Sequence, residues 1–94
     1  MKYSESDAET LSLRALTWLV GNEDLLPVFL GASGATEADL RARAGDRDFL
    51  LSVLDFLMMD DAWIIGFCDA QNVPYEHPNL ARAALAGPAG MHWT

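Results

Sequence analysis

The sequence predicts an all-α fold: a compact single-domain bundle of five or six short helices with a central apolar helical hairpin. Acidic residues come in pairs just ahead of apolar runs, apolar residues recur at helical intervals, and no stretch alternates as a strand does. Carboxylates at such positions stabilise a helix start, because they face the positive end of the helix dipole and its unpaired N–H groups. The pairs are Asp7/Glu9, Glu23/Asp24, Glu37/Asp39, Asp46/Asp48 and Asp60/Asp61.

The first two helices are predicted from their end signals. Residues 6–9, Ser-Asp-Ala-Glu, match a capping box, so the first helix should begin at Ser6. Gly21 is expected to end it in a left-handed conformation, and Asn22 to cap a second helix that runs up to Gly34. The inward side of the first helix consists of apolar residues at helical spacing: Ala8, Leu11, Ala15, Trp18 and Leu19.

The next two helices differ in their expected roles. Thr36 is predicted to cap a short connecting helix of about two turns, and Asp46 to cap a strongly apolar one. An apolar surface this wide is typical of a central helix covered by its neighbours. Its apolar residues are Phe49, Leu50, Leu51, Val53, Leu54, Phe56, Leu57 and Met58. Asp55 lies on the polar edge, where Arg41 or Arg43 is predicted to pair with it.

Asp60 is predicted to end the central helix and to cap the next one, residues 62–71, which completes the hairpin. A proline-containing break then precedes a final helix over residues 77–86.

The length of 94 residues allows one domain. We assign residues 1–87 to this domain and residues 88–94 to a C-terminal tail. A free tail rarely carries a tryptophan, so we expect Trp93 to dock on its own domain or on a neighbouring copy.

Composition argues against several kinds of partner. A net charge of -8 with only six basic residues repels phosphate backbones and anionic lipid surfaces, so we expect no direct binding of nucleic acid and no membrane association. Arg14 interrupts the apolar stretch 11–20, which argues against a signal peptide. The lone Cys68 fits a reducing compartment. The sequence therefore predicts a cytoplasmic protein.

Reactive side chains form no pattern typical of an active site. Four aspartates near the hairpin lack the spacing and the glycine of a calcium loop, so no metal and no other cofactor is expected. They are Asp55, Asp60, Asp61 and Asp69. Cys68 lies on an apolar helix, where a buried thiol packs well and a nucleophile is blocked. We predict a non-enzymatic protein, and a cryptic hydrolase using His77 with Asp55 or Cys68 is an alternative.

Met58, Met59 and Trp63 flank the turn of the hairpin, and such side chains occur both in cores and at adaptable contact surfaces. An apolar content of 51% lies at the top of the usual range of ~45 to 50%. We therefore predict a protein–protein interaction or self-association module, with Met58, Met59, Trp63 and Trp93 as candidate partner contacts. A regulatory protein that reaches nucleic acid through a partner is the other alternative.

Landmark residues follow one another at short intervals between Trp18 and Val73. They are Trp18-Leu19, Phe29-Leu30, Gly34, Asp39-Leu40-Arg41, Phe49-Leu50, Val53-Leu54-Asp55-Phe56-Leu57, Asp60-Asp61 and Phe67-Cys68. As a set they resemble the bacterial domain-of-unknown-function family 3572, whose members are short helical proteins. The resemblance implies a compact cytoplasmic helical protein without an assigned activity, cofactor or catalytic residue, so it implies no functional site.

Overall fold

The computed structural model describes residues 3–86, and six helices make up this part of the chain. They are α1 (Glu5–Val20), α2 (Leu26–Ser33), α3 (Glu37–Ala42), α4 (Arg47–Leu57), α5 (Asp61–Gln71) and α6 (His77–Ala86). The described residues include no strand, so the predicted all-α class is confirmed. The Cα radius of gyration is 12.8 Å, close to the roughly 13 Å of a compact 100-residue domain.

Three of the predicted helix caps are present. Thr36 and Asp39 form a full capping box: the Thr36 N–H donates to the Asp39 carboxylate at 2.9 Å, and the Asp39 N–H donates to the Thr36 hydroxyl at 3.3 Å. Asp46 and Asp60 each accept the backbone N–H of the second residue of the helix that follows, at 3.0 and 2.9 Å. These side chains satisfy N–H groups that a helix start leaves without a backbone partner.

Two predicted features of the ends of α1 are wrong. Ser4, and not Ser6, caps α1, because its hydroxyl accepts the backbone N–H three residues on at 2.9 Å and the helix starts at Glu5. Gly21 ends α1 as predicted, but its φ of -82° is right-handed geometry open to any residue and not the left-handed conformation expected. Between residues 3 and 86, the residues with left-handed φ are Gly34, which ends α2, and Asn72, which ends α5.

Asn22 caps a turn and not α2 itself. Its side-chain oxygen accepts the N–H groups of Asp24 and Leu25 at 3.1 and 3.0 Å, and α2 begins only at Leu26, with Pro27 in its first turn. The pair Glu23/Asp24 therefore lies in this turn and contributes no carboxylate to the first turn of α2.

The core is built mainly from α1, α4 and α6, which pack against one another. Their N-terminal ends lie together: Glu5 pairs with Arg47, and the Tyr3 ring meets the His77 ring edge-on at 5.1 Å between centroids. Ala8, Ser12 and Ala15 are fully buried on α1, and Ala81 is fully buried on α6. Small side chains at these positions permit close approach of the helices.

Asp55 pairs with Arg82 of α6, so the predicted pairing with Arg41 or Arg43 is wrong. Arg43 is held elsewhere: its guanidinium lies 3.3 Å from Asp46 and covers the Phe49 ring at 5.0 Å. Asp55 therefore faces α6, whereas Asp48 and Ser52 of the same helix border a hollow with Asp39 of α3.

The hairpin of α4 and α5 has unequal arms. Most of α4 is buried, whereas only Phe67 and Cys68 are buried on α5. The two helices are joined by a turn at residues 58–60, across which Trp63 stacks on Phe56 at 4.6 Å between centroids. Among residues 3–86, no helix is both long enough and apolar enough to cross a bilayer.

Replacing Asp60 by Ala should lower the free energy of unfolding by about 1 kcal/mol, because the N-terminus of α5 loses its side-chain acceptor. Asp60→Asn is the matched control, since an asparagine oxygen caps equally well. Urea unfolding followed by circular dichroism measures both. Equal losses in the two variants would show that the charge of Asp60, and not its capping hydrogen bond, stabilises the helix.

Candidate interaction surface

The predicted contact residues of the hairpin turn have different environments. Met59 is 73% exposed, whereas Met58 and Trp63 are half-buried. Met59 borders a shallow hollow of about 190 Å³ that also includes Phe29 and Phe56. Trp93, the fourth predicted contact, lies outside the described residues. The turn therefore presents one large exposed apolar side chain above an aromatic cluster.

A larger exposed apolar surface lies on the outer side of α1. Leu13 and Val20 are 42% and 49% exposed, and the exposed Thr17 lies between them. The spacing of i, i+4 and i+7 makes the three a continuous ridge along one side of the helix. The inward stripe predicted for α1 is confirmed at Ala8, Leu11, Ala15 and Leu19, while Trp18 is half-buried.

A groove runs along each side of this ridge. The first, of about 720 Å³, lies between α1 and the end of α5, with Trp18 and Gln71 in its walls. The second, of about 480 Å³, lies between α1 and the pair α2 and α3, with Leu26 and Leu40 in its walls. Leu13 and Thr17 line both grooves. We call the ridge Leu13–Thr17–Val20 together with these two grooves the α1 face.

The first groove has firmly held walls. The Arg14 guanidinium donates to the Gln71 backbone oxygen at 2.7 Å and to its side-chain oxygen at 3.3 Å, which fixes the end of α5 against α1. Trp18 packs edge-on against Phe67 at 5.8 Å and passes over Gly66, where an added Cβ would lie 3.5 Å from the indole. These contacts place the end of α5 and the Trp18 indole beside the groove as its walls.

The charges of the α1 face balance. Arg14 and Glu23 line the first groove, and Arg41 and Glu37 line the second. The chain as a whole carries a net charge of -8, so its excess of negative charge lies on other surfaces. The α1 face is therefore apolar and electrically neutral in an acidic protein.

The residues of the hydrolase alternative are engaged in separate contacts. Cys68 is buried, its thiol donates to the Pro74 oxygen at 3.7 Å, and burial raises the pKa of the thiol. His77 packs on Tyr3, and Asp55 pairs with Arg82. Among residues 3–86, no three His, Cys, Asp or Glu side chains gather as a metal ion would require.

The hollow beside Cys68 is lined by the end of α5 and by the loop between α5 and α6. The Tyr75 hydroxyl donates to Asp69 at 2.6 Å, and this bond raises the pKa of Tyr75 because it stabilises the protonated phenol. Asn72 turns the chain in a left-handed conformation at the start of the loop. The loop is therefore fixed to α5 by its own side chains.

Sequence reasoning missed the α1 face, although a signal was present. Leu13, Thr17 and Val20 repeat at helical spacing on the side opposite the inward stripe, and apolar residues on both sides of a helix indicate a second contact surface. The grooves depend on where α2, α3 and α5 lie, and no local pattern gives those positions.

Comparison with known proteins gives a match to one protein family. A family model described as "Protein of unknown function (DUF3572)" matches residues 5–88. No curated protein and no solved structure matches the chain significantly.

Proposed function

The chain belongs to domain-of-unknown-function family 3572, and we propose that it is a non-enzymatic protein-interaction module that binds another polypeptide through the α1 face. The observation that carries this proposal is the exposed ridge Leu13–Thr17–Val20 with a groove on either side. A cytoplasmic location, as the lone cysteine suggests, belongs to the same proposal.

The shape of the α1 face fits a helix. An amphipathic helix binds by laying side chains at i, i+3 or i+4, and i+7 into an apolar groove, and the second groove offers Leu16, Leu26 and Leu40 to such side chains. Glu37 and Arg41 at its edge can pair with charges of either sign on the bound helix. The partner is therefore a helix with an apolar stripe and mixed charges along its flanks.

The turn around Met59 is the weaker of the two candidate surfaces. Met59 is the most exposed large apolar residue described, but the hollow beside it is much smaller than either groove. A single flexible side chain over a small hollow gives a partner little to fill, and binding energy concentrates where anchors enter well-packed pockets.

Site-specific photo-cross-linking tests the proposal. A benzophenone amino acid placed at Leu13 should yield covalent protein adducts in native cells, because a bound helix lies within reach of this position. The same amino acid at Leu80, an exposed residue of α6, is the matched control and should yield none. A third variant at Met59 tests the turn directly. Adducts from Met59 without adducts from Leu13 would overturn the assignment to the α1 face.

A further inference from the structure

We propose that the helix bound by the α1 face is the α1 helix of a second copy, and that the two run antiparallel about a two-fold axis passing beside Thr17. This inference rests on the proposed function, since it names the occupant of the same surface. Three features of α1 carry it: the shape of the ridge, the position of a glycine, and the distribution of charge.

The ridge and the grooves of one chain complement those of another. Helices pack when a ridge of residues four apart enters the groove beside the same kind of ridge on the neighbouring helix. Leu13 and Thr17 form such a ridge and line the groove on each side of it. A two-fold interface requires one surface to fit itself, and the α1 face presents both the projection and the hollows that receive it.

Gly21 leaves space on the α1 face for a side chain of the second copy. With the axis beside Thr17, Leu13 of one chain lies opposite Gly21 of the other, because both positions are four residues from the axis. Gly21 is exposed, and an added Cβ would meet only backbone oxygens of its own chain at 3.7 Å. Its φ of -82° does not require glycine. The missing side chain thus leaves room for an incoming leucine.

Charge favours this surface over the rest of the molecule for self-association. Two chains of net charge -8 repel when acidic surfaces meet. The α1 face avoids this repulsion because Arg14 and Arg41 balance Glu23 and Glu37. Two-fold symmetry brings the first groove of each chain to the interface, and each groove contributes one positive charge, Arg14, and one negative charge, Glu23.

A cysteine placed on the proposed axis provides the first test. The native Cys68 is the chain's single cysteine and is 1% exposed, so a Thr17→Cys variant carries one accessible thiol. Two such thiols meet across the axis, and mild oxidation should link them at least about tenfold faster than random collision, since pairing raises their effective concentration. Met59→Cys is the matched control: its position is 73% exposed, so it tests collision alone. Equal rates in the two variants would overturn the antiparallel pairing.

The mass of the untagged native chain provides the second test. Light scattering should give about twice 10.3 kDa at high protein concentration. Leu13→Asp and Gly21→Leu should each raise the dimer dissociation constant at least about tenfold, with unchanged circular dichroism, because both positions are exposed. A strict monomer at several hundred micromolar would overturn the inference.

The experiments distinguish failure of the proposed pairing of two copies from failure of the proposed interaction module. A monomer whose Leu13 position still cross-links to a different protein refutes pairing of two copies and leaves the interaction module standing. A monomer without any adduct from Leu13 refutes both.

Discussion

Phe29→Ala should lower the free energy of unfolding by about 3–5 kcal/mol. Phe29 is 1% exposed and is the only buried residue of α2. Its ring meets Phe49 and Phe56 edge-on, at 6.1 and 5.1 Å between centroids. Truncation removes both aromatic contacts, leaves a cavity, and detaches α2 from α4. Since domains of this size have about 5–15 kcal/mol of stability in all, the variant should be close to unfolding.

Urea denaturation followed by tryptophan fluorescence measures this loss. Val28→Ala is the matched control on the same helix, because Val28 is 46% exposed and its truncation should change stability by no more than about 0.5 kcal/mol. A loss below about 1.5 kcal/mol for Phe29→Ala would mean that the core closes around the missing ring and leaves no cavity, contrary to this expectation.

Ala81→Leu should destabilise the protein by about 1–3 kcal/mol, although it adds apolar surface. Ala81 is fully buried on α6, which packs against both α1 and α4. Ala8 and Ser12 on α1 are also fully buried. Three more carbon atoms at this position must push α6 outward or force side chains from their preferred rotamers.

Thermal and chemical unfolding of this variant should be compared with those of Ala83→Leu. Ala83 lies on the exposed side of the same helix, and leucine there keeps a high helix propensity, so its stability should match that of the native chain within about 0.5 kcal/mol. A stabilising effect of Ala81→Leu would reveal free space between the helices and contradict the close approach of α6.

Local signals predicted helix starts well where a side chain caps its own helix. Thr36, Asp46 and Asp60 cap the helices that follow them, as predicted, because a cap depends on residues only two or three positions away. Asp60 does not end α4, which stops at Leu57. Local signals also misplaced the start of α1, because two capping patterns overlap there. Residues 4–7 also fit a capping pattern, and the hydroxyl of Ser4 wins the competition with Ser6.

Contacts between helices that lie far apart in the sequence could not be predicted from local sequence patterns. Asp55 was expected to pair with Arg41 or Arg43, but Arg82 of α6 reaches it, 27 positions away in sequence. The same limit applied to the candidate interaction surface. The exposure of Leu13 and Val20 follows from helical spacing, whereas the grooves beside them follow from the placement of α2, α3 and α5.

The packing of α1 against α6 joins the two ends of the described chain and therefore sets an order of events during synthesis. Native contacts such as Tyr3 with His77 cannot form until the last helix has left the ribosome. Until then α1 has only α4 of its two main packing partners. The nascent chain thus completes its core late, and a message truncated before α6 yields a polypeptide in which α1, the longest described helix, has lost one of its two main packing partners.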